Sequence, residues 1–283
     1  MGAVAAVRGD RPSDTALGAS VIRAVHQLID DRPLILDDPV SPRLLPPETL
    51  EAITADPDRH REPREKGLRS HVVLRSRYAE DQLRHAVDSG VRQFINVGAG
   101  FDTFAFRKPA WAAKLSVVEV DHPASQRAKI DHFSARDLQA AGNTAFVPLD
   151  LERGDLPAAL GAHGVDLDLP AFFACLGVLA YLTSGAIARM LKGIAAIPGT
   201  RGLVLAFAPP SPGRKASHAA ERAARAGEPW LSCFTPGEIS DVLGSSGFSS
   251  VQFLLPEAAA DRYFRGRSDL PAPRLTRLCL ARP

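Results

Sequence analysis

The stretch Phe94-Ile95-Asn96-Val97-Gly98-Ala99-Gly100-Phe101-Asp102-Thr103 decides the fold. Phe94 to Val97 read as a short buried strand, and the chain then enters a glycine turn. A strand that ends in Gly-x-Gly commonly opens a nucleotide-binding βαβ unit, although the same pattern also serves as a plain tight turn. Gly98 and Gly100 carry no Cβ, so the backbone there can turn sharply and approach a ligand closely.

Downstream of this stretch, strand and helix patterns alternate. Strands are expected at Phe94–Val97, Leu115–Val120, Ala145–Leu149, Ala171–Cys175, Leu203–Ala208, Val251–Leu255 and Leu275–Ala281. Helices are expected between them at Asp102–Ala113, Pro123–Ala141, Ser184–Ala196 and Pro236–Gly244. Alternation of this kind predicts an α/β fold, a doubly wound and mostly parallel seven-stranded sheet covered on both faces. No helix is evident between the last two strands, so one of them is expected to run antiparallel at the sheet edge. Pro209-Pro210-Ser211-Pro212-Gly213 interrupts the alternation and begins an insertion, residues 209–235, that is helical through about Ala226; its Trp230 and Phe234 suggest a lid over an apolar acceptor, although Trp230 can equally anchor the insertion to the core.

Upstream, residues 1–90 form a helical extension, and residues 91–283 form the ligand-binding domain. A disordered tail over 1–12 is followed by a helix capped at Ser13 or Asp14, with Leu17, Val21, Ala24, Val25, Leu28 and Ile29 at helical spacing. Glu48 to Ala55 form a short helix, and Ser70 to Asp88 a longer one that stops at Ser89-Gly90.

The net charge of +2, from 34 basic and 32 acidic residues, gives no basic excess for a nucleic acid partner. Arg59, Arg61, Arg64, Lys66 and Arg69 cluster, but Glu62 and Glu65 interrupt them, and a solvated face is expected. The three cysteines are widely spaced and include no C-x-x-C pair, which fits neither a zinc site nor a disulfide framework and suits a reducing, cytoplasmic location. No apolar run approaches the ~18 residues of a membrane span, and Met1 to Val7 are too few for a signal sequence.

In an open parallel sheet, ligands bind beyond the carboxyl ends of the strands. The second strand ends at Glu119-Val120-Asp121-His122-Pro123, about 20 residues after the glycines, where an acid can grip a ribose hydroxyl pair. The third ends at Asp150-Leu151, where the carboxylate can accept from an exocyclic amine while the leucine covers a ring. Asp102 follows the second glycine by two residues. A carboxylate there repels a pyrophosphate and suits a ligand bearing an ammonium and a sulfonium, which favours S-adenosylmethionine over a nicotinamide dinucleotide. Asp102 can also simply cap the following helix.

These runs, with Gly177-Val178-Leu179-Ala180-Tyr181-Leu182-Thr183, resemble the leucine carboxyl methyltransferase family. They resemble most its bacterial branch of S-adenosylmethionine-dependent O-methyltransferases associated with secondary metabolism. Thr15-Ala16-Leu17-Gly18, Leu36-Asp37-Asp38-Pro39, Arg75-Ser76-Arg77 and Gly227-Glu228-Pro229-Trp230 extend the likeness over most of the chain. The resemblance implies a class I methyltransferase-like Rossmann fold, a small-molecule acceptor, no metal, and no nucleic acid or membrane partner, with a homodimer left open. It implies that Arg75 holds the cofactor carboxylate and that Gly98, Ala99 and Gly100 pass beneath the methionine portion. It places the ribose on Asp121, with Glu119 as the alternative and His122 alongside, and the adenine on Asp150 and Leu151. Leu176 stands where the family often has a glutamate facing the amino acid end of the cofactor, so Asp102 or backbone carbonyls are left to meet the ammonium. The same substitution leaves two alternatives open: cyclisation or cleavage of the cofactor to methylthioadenosine, and a catalytically silent cofactor-binding partner. A hydroxyl acceptor would benefit from a base, for which Tyr181, His26, His71 and His122 are the candidates.

Overall fold

The computed structural model describes residues 12–210 and 218–283; the expectations for residues 1–11 and for Ser211-Pro212-Gly213 lie outside them. Three helices come first: α1 (Asp14–Ile29), α2 (Pro47–Ala55) and α3 (Pro63–Asp88). Then follow β1 (Gln93–Val97), α4 (Phe104–Arg107), β2 (Ser116–Asp121), α5 (Pro123–Ser134), β3 (Thr144–Pro148), α6 (Leu156–Ala162) and β4 (Ala171–Cys175). The chain continues through α7 (Ser184–Ala196), β5 (Thr200–Ala206), α8 (His218–Arg225), α9 (Pro236–Ser245), β6 (Ser250–Phe253), α10 (Pro256–Tyr263) and β7 (Leu278–Arg282).

The seven strands form one sheet in the order β3-β2-β1-β4-β5-β7-β6. β1 pairs in parallel with both β2 and β4, so the winding reverses between β1 and β4 and leaves a crevice at their carboxyl ends. β7 runs antiparallel to both β5 and β6. The antiparallel strand is therefore not at the edge but is inserted between β5 and β6, and its first residue lies at the same end of the sheet as the carboxyl ends of its neighbours.

Alternate strand residues feed two cores. Ile95, Val97, Phe173, Cys175, Leu203 and Leu205 face α7, which contributes Ile187, Met190, Leu191 and Ile194. Phe94, Phe172, Ala174 and Val204 face α3, which contributes Val73, Leu74, Tyr78, Ala79 and Leu83. Helix α3 thus covers the sheet directly, and its other flank is left for the crevice.

Four local expectations are corrected. The helix expected over Asp102–Ala113 is only the four-residue α4 followed by a 3-10 turn at Ala110–Ala112. Pro109 disfavours helical backbone at Lys108 and stops it. The helix after β2 ends at Ser134 rather than Ala141, where Asp137 takes φ +53° and Leu138 turns in against Phe133. A helix, α10, does lie between β6 and β7; among its eight residues only Ala259 is buried, so it shows no apolar stripe. Arg69 is not part of a solvated face: its Nε and Nη2 donate to the two Asp30 oxygens at 2.7 and 2.8 Å, and its side chain is buried. No described helix is long and apolar enough to cross a membrane.

Candidate cofactor and acceptor site

A cavity of about 660 Å³ opens at the switch point. Its floor is the glycine turn. Gly98 and Gly100 take φ of +69° and +50°. A Cβ on Gly98 would collide with Val178 of the loop after β4, and one on Gly100 would come within 2.9 Å of Ala16 on α1. Both positions therefore need glycine for space as well as for backbone geometry. Helix α1 also grips the turn from below, because Arg23 Nη2 donates to the Phe101 carbonyl at 2.6 Å. Arg23 is itself held by Asp38 at 3.0 Å, and Asp38 lies 3.7 Å from Arg107. Leu36-Asp37-Asp38-Pro39 thus supplies a buried brace for the turn, a role that no local pattern indicates.

The walls come from each neighbouring strand end. Asp121 lies at the end of β2, where its carboxylate accepts from the amides of Gly100 and His122. Glu119, two residues earlier on the same strand face, pairs with Lys129 in the interior and does not line the cavity. Of the two acids proposed for the ribose, only Asp121 has access. His122 caps α5 through Nδ1 and also lines the cavity. Asp150, Leu151, Leu176 and Tyr181 are on the wall as well, with Ala99 and Asp102 in the turn. Asp102 Oδ1 accepts from the Phe104 amide at 2.9 Å, so the capping role and the place in the cavity coexist. A helix of only four residues, with a carboxylate at its start, offers little positive potential to a pyrophosphate.

Helix α3 presents Leu68, His71, Val72, Arg75 and Ser76 to the cavity, residues spaced along one helical face. The Arg75 guanidinium lies over Gly177, where a Cβ would come within 2.5 Å of it. Among the described residues no carboxylate lies within ion-pair distance of Arg75. Burial and the Arg23 charge lower its pKa to about 10, so it remains a cation at neutral pH.

His26 is not at this site. It is fully buried, its Nδ1 lies 2.7 Å from Asp30, and its Nε2 accepts from the Leu36 amide. Both ring nitrogens are engaged by the end of α1 and the connection that follows it, and the ring does not line the cavity. Phe234, expected as part of a lid, belongs to the core, whereas Trp230 does line the cavity.

His71 does line it. Burial, with Arg75 and Arg277 nearby, pushes its pKa down to about 3, so the ring stays uncharged at neutral pH. An unfolded histidine takes a proton below about pH 6.5, and the folded one does not until about 3. The unfolded state thus binds more protons in this window, and stability falls as pH drops through it. The urea midpoint is expected to fall less between pH 7.5 and 5.0 in His71→Gln than in the parent chain.

Two covers close the cavity. The first turn of α1 supplies Ser13, Asp14 and Thr15, and the insertion supplies Ala219, Arg222, Ala223, Trp230 and Leu231. They are joined by Glu228, a buried side chain that accepts from Ser13 Oγ at 2.9 Å, the Asp14 amide at 2.9 Å and Thr15 Oγ1 at 2.5 Å. The insertion is tied to the loop after β4 by the Leu231 amide on the Ala180 carbonyl and by Ser232 Oγ on the Leu182 carbonyl, both at 2.6 Å. Two of the quoted sequence runs, Thr15-Ala16-Leu17-Gly18 and Gly227-Glu228-Pro229-Trp230, thereby meet in space.

Comparison with known proteins identifies the family and the fold. The sequence model of the leucine carboxyl methyltransferase family matches residues 16–195, more than half of the chain. YktD of Bacillus subtilis, named as an S-adenosyl-L-methionine-dependent methyltransferase, is 29% identical over 93% of this chain and 95% of its own. FRAAL3718 of Frankia alni, named in the same way, is 32% identical over 68% of this chain and 71% of its own. A crystal structure titled as a methyltransferase of Thermobifida fusca superposes with a TM-score of 0.55 over 98% of this chain and 97% of that one; at 19% identity it speaks for the fold alone. The chain belongs to the leucine carboxyl methyltransferase family of S-adenosylmethionine-dependent methyltransferases.

Proposed function

We propose that this chain transfers the methyl group of S-adenosylmethionine to an oxygen, carboxyl or hydroxyl, of a small metabolite. The observation that carries the reading is Arg75, a half-buried cation with no carboxylate partner among the described residues, set over Gly177 on the wall of the cavity. Such a group calls for an anion, and the carboxylate of an amino acid cofactor is of the right charge. Asp102 then faces the ammonium, which compensates for Leu176. Asp121 takes the ribose, and Asp150 with Leu151 takes the adenine. When bound, S-adenosylmethionine supplies an electrophilic methyl on a positively charged sulfur. The residues of the chain hold the partners in line and keep water out, which is most of what such a displacement asks of a protein. A carboxylate acceptor needs no base, and His71, with its pKa pushed down to about 3, is a poor one for a hydroxyl acceptor.

Calorimetry with S-adenosylhomocysteine tests the site. Asp150→Ala is expected to weaken binding about tenfold, the worth of one hydrogen bond to a charged group, ~1.5 kcal/mol. Unchanged affinity would remove Asp150 from the site. Leu176 favours a second reading, in which the cofactor is cleaved rather than used as a methyl donor. Methylthioadenosine appearing by mass spectrometry when enzyme and cofactor are incubated without an acceptor would select it.

A further inference from the structure

Helices α1 and α3 pack against each other, and each turns one arginine to the cavity. Arg23, on α1, is only 4% exposed. Its Nε donates to Asp38 at 3.0 Å and to Ser41 Oγ at 3.3 Å, and its Nη2 donates to the Phe101 carbonyl at 2.6 Å. Nη1 has no hydrogen-bond partner among the described residues, yet it is not shut off from solvent. A side chain so deeply buried that also lines the cavity opens that nitrogen onto the cavity. The guanidinium is a rigid planar fork, so the bonds that Nε and Nη2 make also fix where Nη1 points.

Arg75, on α3, uses none of its nitrogens on the described residues, and none of them is shut off from solvent. The two arginines meet the same piece of backbone. Arg75 lies over Gly177, whose neighbour Val178 packs on Gly98, and Gly98 opens the turn that Arg23 holds at Phe101. Burial, and after it the Arg23 charge, lowers the Arg75 pKa, which fits two cations converging from two helices. Among the described residues, five carboxylates line the cavity: Asp14, Asp102, Asp121, Asp150 and Glu152. None of them forms an ion pair with either arginine; Arg23 has Asp38 behind it, and Arg75 has no counter-charge at ion-pair distance. An incoming carboxylate has two oxygens, enough to accept from both forks at once.

We propose that Arg23 Nη1 joins Arg75 on the cofactor carboxylate, and that the bound cofactor thereby fastens α1, with the cover that its first turn supplies, onto α3. The proposal rests on the cofactor site described under the proposed function and adds a coupling to it. The cofactor carboxylate is the bolt between two helices, so the cover tightens when the cofactor arrives rather than when the acceptor does. Arg23 serves both sides of the turn: three of its contacts shape the backbone beneath the cofactor, and the remaining nitrogen reads whether the cofactor is there.

The test uses the full chain with S-adenosylhomocysteine and S-adenosyl-3-thiopropylamine, two ligands that differ only in the carboxylate. Calorimetry on the parent chain is expected to show a preference of about a hundredfold for the first, the worth of a desolvated charge contact. In Arg23→Lys that preference should fall about tenfold, because one ammonium held by Asp38 cannot also reach into the cavity. Affinity for the amine should stay at the parent value, which shows that the variant folds and that the turn keeps its shape. Hydrogen exchange on the parent chain needs no variant. Amides of the first turns of α1 should be slowed by S-adenosylhomocysteine and much less by the amine. An equal loss of both ligands in Arg23→Lys would confine Arg23 to shaping the turn, and an unchanged preference would remove it from the carboxylate. Equal slowing of α1 by the two ligands would remove the coupling. In each of these cases the cofactor site stands. Equal affinity of the parent for both ligands would withdraw Arg75 from the carboxylate as well, and a parent that binds neither would overturn the cofactor site itself.

Discussion

Arg75→Met is expected to lower the affinity for S-adenosylhomocysteine at least a hundredfold without lowering the unfolding temperature of the ligand-free protein. The two halves of this result have one cause. Loss of a buried charge from a charge-assisted contact costs a ligand about 2–5 kcal/mol, or 30-fold to several thousandfold in Kd. In the ligand-free chain the same cation is a liability. It is desolvated, its pKa is pushed down to about 10, and no carboxylate within ion-pair distance compensates it among the described residues. Methionine keeps the aliphatic bulk of the side chain, so the packing of α3 persists. A protein that holds such a group trades stability for a site. Differential scanning fluorimetry and calorimetry on the variant measure the two halves separately. A lower unfolding temperature with unchanged affinity would make Arg75 a structural residue and withdraw it from the cofactor.

Glu228→Ala is the second. Its carboxylate draws two hydroxyls and one amide of the N-terminal segment onto the insertion. Alanine leaves those donors without their acceptor, and closure of the cavity is expected to weaken by about 3 kcal/mol, a modest sum for hydrogen bonds to a charged group. The sheet should be untouched, since neither cover contributes a strand. The expected signature is faster proteolysis at the start of α1 and around residues 218–230. S-adenosylhomocysteine should also dissociate up to about a hundredfold faster, the same 3 kcal/mol read as a rate. Glu228→Gln, which keeps an acceptor of the same reach, should recover part of the loss. Wild-type protease resistance in Glu228→Ala would show that Leu231 and Ser232 suffice to hold the insertion.

The strands were legible because parallel, doubly covered strands read as short apolar runs, and the glycine turn because its backbone geometry excludes other residues. That Asp121 and Asp150 line the cavity was legible for a related reason: strand ends face the crevice in this kind of sheet. What escaped depends on partners distant in sequence. Arg69 looked solvated among its basic neighbours, yet Asp30 lies 39 positions away. His26 looked available as a base, yet Asp30 and Leu36 occupy both its nitrogens. Glu119 and Asp121 differ by two positions and share a strand face, and only the crossing of α5, with Lys129, decides that one is interior. Arg277 carried no signal at all. Its place at the cavity follows from β7 running against its neighbours, and a lone arginine before an apolar run does not reveal strand direction.

The latch between Ser13 and Glu228 spans 215 positions. At roughly 5–20 residues per second, a ribosome delivers the acceptor about 10–40 s after the donors. Throughout that interval the first turn of α1 has left the exit tunnel without its partner, while the five strands that flank the glycine turn and carry the cavity floor emerge and can pair. The roof of this enzyme is thus a late event in its synthesis. A chain truncated just before Glu228 would retain β1 to β5 but lack the latch together with α9, β6, α10 and β7.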